Sequence, residues 1–213
     1  MMSIYYKDRK DAGQKLAQAL HIYLDRKDVL LLGLARGGVV IAAAIGQKLS
    51  LPYDLIVVSK VGAPNDPEVA IGAIAEAGQG YFNESLIHAL NISQDYLECA
   101  SDAKGRSIKE RAARYRKNRG VPELKGSSVI LVDDGIATGA TMIAAVYASR
   151  AKGASEIIIA VPVAPSNVVR ELELISDHLV CLCSSEHFRS VSQFYSTFPQ
   201  ISDEEMMREM LPS

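Results

Sequence analysis

Cysteine is scarce in this chain. Cys99, Cys181 and Cys183 are the only three in 213 residues, an odd and small number that excludes a disulfide framework. Cys181 and Cys183 sit two apart in an apolar run, so both point to one face of a strand. A metal site there would find only His178 and His187 as further ligands; plain buried thiols in a reducing cytoplasm fit the pair better. Long apolar runs are missing as well, and no segment reaches the length needed to span a bilayer. Residues Met1 to Asp8 lack the apolar stretch of a secretory signal. The formal charge of −2 gives no overall pull toward nucleic acid or a membrane. There is no Gly-x-Ser-x-Gly elbow, which argues against a Ser-His-Asp hydrolase.

What is present is an alternation of buried-strand and helix patterns. Asp8 to Leu24 carries Ala12, Leu16, Ala19, Leu20 and Tyr23 at helical spacing, with Asp8 as N-cap. Strands are predicted over Val29–Ala35, Tyr53–Val61, Ser128–Val132, Ser155–Val163 and His178–Cys183. Helices are predicted over Val39–Leu49, Ala140–Lys152 and Pro165–Ser176. Gly62–Pro67 is rich in turn formers, and Val69–Glu76 with Gly80–Phe82 reads as two arms of a surface hairpin. Glu84–Asn118 is a long helical region with a break expected near Gly105. Ser202 followed by Glu205 forms a capping box before a short helix, Glu204–Leu211. The alternation predicts an α/β fold, a doubly wound, mostly parallel sheet flanked by helices. It forms a single domain over 1–213. The core lies at 8–183, a helical basic insertion at 84–119 and a C-terminal tail at 184–213.

The chemistry concentrates after the strand at Ser128–Val132. Two acids follow it, Asp133 and Asp134, then a small-residue loop, Gly135-Ile136-Ala137-Thr138-Gly139, then a helix opening at Ala140 and Thr141. A loop ending at a helix N-terminus presents unpaired N–H groups and the positive end of the helix dipole. Gly135 and Gly139 let the backbone approach a ligand, and Thr138 and Thr141 add hydroxyls, so the loop is a cradle for a phosphate dianion. Two acids beside a phosphate loop make sense when the ligand also carries hydroxyls or a divalent cation. A pentose phosphate with free vicinal hydroxyls meets both demands.

Val132-Asp-Asp-Gly-Ile-Ala-Thr-Gly-Ala-Thr141 resembles the ribose-5-phosphate-binding signature of type I phosphoribosyltransferases. Ser59-Lys-Val-Gly-Ala-Pro and Ala70-Ile-Gly-Ala-Ile-Ala-Glu76 are similar to a branch of that family with no defined acceptor. The resemblance implies a parallel-sheet fold with a flexible loop and a small hood. It implies displacement of pyrophosphate from 5-phosphoribosyl-1-pyrophosphate by a nitrogen acceptor, with Mg²⁺, in a cytoplasmic protein that is commonly a dimer. By resemblance Gly135, Ile136, Ala137, Thr138, Gly139, Ala140 and Thr141 hold the 5-phosphate. Asp133 and Asp134 hold the ribose hydroxyls directly or through the metal, and internal ion pairs on these acids would count against that role. The corresponding pyrophosphate loop is Ala35, Arg36, Gly37 and Gly38, with a cis peptide at Ala35–Arg36; the bland alternative is a tight turn with a solvent arginine. Lys60 would reach the pyrophosphate, and the loop after it would close over the substrate. Enzymes of the family that act on 6-oxopurines carry an Asp where this chain has Ala137, which points away from hypoxanthine and guanine. The same fold also occurs in regulators that bind the sugar diphosphate without turning it over.

Two further stretches stay open between two readings. The run Lys104–Arg119 is strongly basic: it either lines the mouth and draws in a polyanion, or is a solvated face with Ile108, Ala112 and Tyr115 packing inward. It lacks the aromatic partners expected of a nucleic-acid surface. Phe188, Phe194 and Tyr195 lie in the densest aromatic stretch and would either stack on a base or pack the tail to the core.

Overall fold

The computed structural model describes residues 6–76, 80–117 and 120–210. Asn118, Arg119 and Leu211 of the expected helices lie outside the described residues. Strands β1 (Val29–Leu34), β2 (Tyr53–Ile56), β6 (Ser128–Val132), β7 (Glu156–Pro165) and β8 (His178–Ser185) form one sheet in the order β2-β1-β6-β7-β8. Each adjacent pair is parallel. The chain winds outward from β1 on one side and from β6 on the other, so the strand order reverses between β1 and β6. Ligands of open α/β sheets bind at the carboxyl ends of such neighbours.

Alternation along the strands builds two cores. Leu31, Ile130, Val132 and Ile158 face α1 (Arg9–Ala19) and α2 (Gly37–Leu49). Leu32, Val129, Leu131 and Ile157 face α5 (Ala140–Ala151) and α6 (Ser166–Glu173). The caps read from sequence are in place: Asp11 N–H donates to Asp8 Oδ1 (2.9 Å), and Ser202 and Glu205 form the reciprocal box opening α7 (Asp203–Glu209).

Two elements depart from expectation. Tyr53–Val61 is not one strand. Its ladder to β1 ends at Ile56, and Val57 instead exchanges backbone contacts with Glu76, donating to Glu76 Oε1 (3.3 Å) and accepting from Glu76 N–H (3.1 Å). The chain then enters a separate antiparallel sheet of β3 (Val58–Ala63), β4 (Asp66–Ala75) and β5 (Gly80–Phe82). Lys60 therefore belongs to this hairpin and not to the end of a central strand. The second departure is the helical break, which falls between α3 (Glu84–Ala89) and α4 (Gln94–Arg116), leaving Gly105 inside a continuous 23-residue helix. One interior glycine costs about 1 kcal/mol, too little to end a helix of that length. Asn91, at φ 50°, and Ser93, whose Oγ accepts from Tyr96 N–H (3.3 Å), stop one helix and start the next.

Candidate functional site

The loop after β6 begins with Asp133 and Asp134, both partly buried at the sheet's carboxyl edge. Gly135 (φ 156°) and Gly139 (φ 80°) occupy backbone regions that favour glycine. A side chain on Gly135 would also strike Val191 and Val163. Ile136 anchors the loop: it is buried, and its N–H donates to Val163 O (2.9 Å). Ala137 and Thr138 are exposed. Gly139 is the N-cap of α5 and supplies no side-chain cap, so the first N–H groups of that helix point outward unpaired by the helix itself.

The loop after β1 meets this one directly. The peptide Ala35–Arg36 is cis, and α2 opens at Gly37 with no side-chain cap. A Cβ on Gly37 would overlap the Asp134 carboxylate, and one on Gly38 would overlap Val132 O, so both positions require glycine for packing. The two glycine loops thus lie in contact at the point where strand order reverses. Lys60 is exposed on β3.

The two acids have different surroundings. Asp134 Oδ2 accepts from Arg9 Nε at 2.6 Å, a pair in which both side chains are largely buried (8% and 16% exposed); this internal ion pair counts against the expected role of Asp134 toward ribose hydroxyls or a metal. Arg9 also donates to Pro199 O (2.7 Å) and lies over the Phe198 ring at 3.8 Å. Burial pushes the Asp134 carboxyl up despite the pull of Arg9 in the other direction. Asp133 has no ion pair among the described residues; its Oδ1 accepts from Asp134 N–H at 2.8 Å. Burial first, and the adjacent Asp134 charge second, push its carboxyl well above the usual range. Of the two acids, Asp133 is the one left in need of a cation.

Sequence reasoning missed Arg9, which reads as an ordinary first-turn residue behind the Asp8 cap. Phe194 and Tyr195 are buried in the core beside Tyr6, and Phe188 packs against that cluster. Phe194 and Tyr195 are therefore not free to stack on a base, whereas Phe188 is half-buried. Tyr195 instead donates its hydroxyl to Asp134 O at 2.6 Å.

Residues 3–198 match the model of the phosphoribosyl transferase domain. The chain belongs to this family. Among relatives of the phosphoribosyl transferase, two from Mycobacterium tuberculosis, named "Putative phosphoribosyl transferase Rv0571c" (strain H37Rv) and "Putative phosphoribosyl transferase MT0597" (strain CDC 1551), are 39% identical over 202 residues. That alignment covers 95% of this chain and 45% of theirs, so the chain spans about half the length of those curated relatives. The crystal structure of TT1426 from Thermus thermophilus is 35% identical, covers 97% of each chain and superposes with a TM-score of 0.83. A purine phosphoribosyltransferase from Pyrococcus horikoshii, 19% identical over 91% of this chain and 92% of its own with a TM-score of 0.50, shares the fold.

For a phosphoribosyl transferase, Mg²⁺ is the expected metal. The described residues contain no cluster of three or more His, Cys, Asp or Glu side chains. Two adjacent carboxylates, one of them without an ion pair among the described residues, fit Mg²⁺, which commonly takes one or two carboxylates and completes its shell with water and substrate phosphates.

Proposed function

We propose that the site binds 5-phosphoribosyl-1-pyrophosphate and transfers its phosphoribosyl group to a nitrogen acceptor. In this reading the C1–O bond to pyrophosphate breaks, a C1–N bond forms, and the acceptor nitrogen loses a proton to solvent. The observation that carries the reading is the contact between two uncapped glycine loops, beside a partly buried carboxylate that has no ion pair among the described residues. The loop Ala137–Thr141 holds the 5-phosphate through the N–H groups opening α5 and the Thr138 and Thr141 hydroxyls. Asp133 accepts from the ribose hydroxyls. Its charge favours the oxocarbenium-like transition state at C1. The N–H groups of Gly37 and Gly38 hold the leaving pyrophosphate. Asp133 would hold Mg²⁺, which would supply charge neutralisation for that leaving group, while Asp134 stays paired with Arg9.

A second reading, a sensor that binds the sugar diphosphate without reaction, draws on Ala137, which cannot move a proton. One assay separates the two. Pyrophosphate release is measured against a panel of nucleobases and amines, alongside calorimetric binding. Transfer predicts release with at least one acceptor; binding with no release across the panel favours the sensor. In either case Asp133→Asn is expected to weaken binding of 5-phosphoribosyl-1-pyrophosphate with Mg²⁺ by about tenfold or more. Unchanged affinity removes Asp133 from the site.

A further inference from the structure

We propose that Arg111, on the basic half of α4, is a diphosphate-binding residue that completes a three-arginine pocket with Arg9 and Arg36. The inference rests on the reading above and assigns the pyrophosphate end of the substrate to this pocket. A cavity of about 460 Å³ opens beside the second glycine loop, with Arg9, Arg36, Gly37 and Arg111 in its walls and Phe198 and Gln200 from the tail. Three arginines from three distant parts of the chain line it.

Helical spacing explains why Arg111 is the member of the basic run that reaches the pocket. Ile108, Ala112 and Tyr115 are buried, so the face of α4 that carries them is turned inward. Arg111 stands at the edge of that face and is half-buried, whereas Arg106 and Lys109 are exposed and do not line the cavity. Its orientation is fixed by a short relay. Arg111 Nε donates to Tyr115 Oη (3.3 Å), and Tyr115 Oη donates to Asp203 Oδ1 (2.8 Å). Asp203 opens α7 and also pairs with Arg36 Nη1 at 3.7 Å and with Arg114. One carboxylate from the C-terminal helix therefore aims Arg36 directly and Arg111 through Tyr115.

Donor capacity remains after these contacts. The terminal nitrogens of Arg111 have no partner among the described residues, and Arg36 makes only the long contact to Asp203. A guanidinium carries five N–H donors. The cavity walls carry three arginines and no carboxylate, and Arg111 and Arg36 keep forked donors free. That surface suits an anion with several closely spaced oxygens, and a diphosphate matches the fork geometry.

The test uses calorimetry with Mg²⁺ and three probes: inorganic pyrophosphate, 5-phosphoribosyl-1-pyrophosphate and ribose 5-phosphate. Arg111→Gln is expected to weaken the first two by about tenfold and leave ribose 5-phosphate unchanged. Arg111→Lys, which keeps the charge and loses the fork, is expected to fall between. Arg106→Gln, a neighbour on the same helix outside the pocket, is expected to match the unmodified chain. Unchanged pyrophosphate affinity in Arg111→Gln overturns the assignment, as does an equal loss in Arg106→Gln, which would mean diffuse charge. An unmodified chain that binds neither diphosphate overturns both this inference and the proposed function.

Discussion

At Asp133, burial and the neighbouring Asp134 charge both oppose ionisation, and the described residues offer it no cation of its own. A carboxyl whose pKa is raised by folding binds its proton more tightly in the native state than in the unfolded one. The resulting stability is fully present below the unfolded value, about pH 4, and is lost as pH rises through the folded value. Without ligand or metal, Asp133→Asn is therefore expected to melt at a higher temperature than the unmodified chain at pH 7–8, with the gap closing in acid. The Asp134 carboxyl is pushed up as well, yet its removal should cost stability, because it strands Arg9, which is 7% exposed. Asp134→Ala is expected to cost about 3 kcal/mol, or roughly 6–12 °C in melting temperature for a chain of this size. Thermal melts of both variants across pH, in the presence of chelator, check the pair; a stabilised Asp134→Ala would show that the Arg9 contact is not holding the fold. The acid that costs most in the empty protein is then the one that the ligand needs.

Elements repeat this contrast between local and distant causes. Arg116 closes α4 and belongs by sequence to a solvated basic run, yet it is 3% exposed. It pairs with Glu76 at the end of β4 and with Asp54 at 3.3 Å, and donates to Leu55 O at 2.6 Å. It thereby ties the end of α4 to the junction where the chain leaves the parallel sheet for the hairpin. Arg116→Met leaves Glu76 buried without its cation, and a loss of about 3–5 kcal/mol is expected. Adding Glu76→Gln should recover part of it, since the more buried of the two stranded carboxylates is then gone and Asp54 remains; chemical denaturation of the two variants measures this, and an additive loss would refute the coupling. The Asp8 cap, the Ser202–Glu205 box, the glycine loop after the strand at 128–132 and the alternation of strands with helices follow from neighbours a few residues apart. Arg9 and Asp134 lie 125 positions apart, and Arg116 and Glu76 lie 40 apart, so no periodicity marks either pair. The break expected at Gly105 has the converse cause. There a local propensity is outweighed by the groups at Asn91 and Ser93 that end one helix and cap the next.

Over the whole molecule, the segment at Tyr6–Arg9 and the tail at 194–199 converge beneath the acidic pair. Tyr6 N–H donates to Phe194 O and accepts through its own carbonyl from Ser196 N–H, each at 2.8 Å, and Thr197 N–H donates to Lys7 O at 2.9 Å. Tyr6 Oη reaches Pro162 O at 2.8 Å, Arg9 reaches Pro199 O, and Tyr195 Oη reaches Asp134 O. The tail thus acts as a brace for the site, because it fixes the backbone of one acid and the guanidinium that holds its carboxylate. Tyr195 is the centre of that brace. Its ring packs against Tyr6 and Phe198, and burial with the Asp134 charge holds its hydroxyl protonated as a donor. Tyr195→Phe keeps the ring and removes only the donor, leaving the Asp134 carbonyl without it. A loss of about 1–3 kcal/mol in stability is expected. If the brace positions the site, affinity for 5-phosphoribosyl-1-pyrophosphate falls as well, while Tyr6→Phe, which loses a comparable buried hydrogen bond to Pro162, lowers stability and leaves affinity alone. Equal affinity in both variants would limit the tail to holding the fold together.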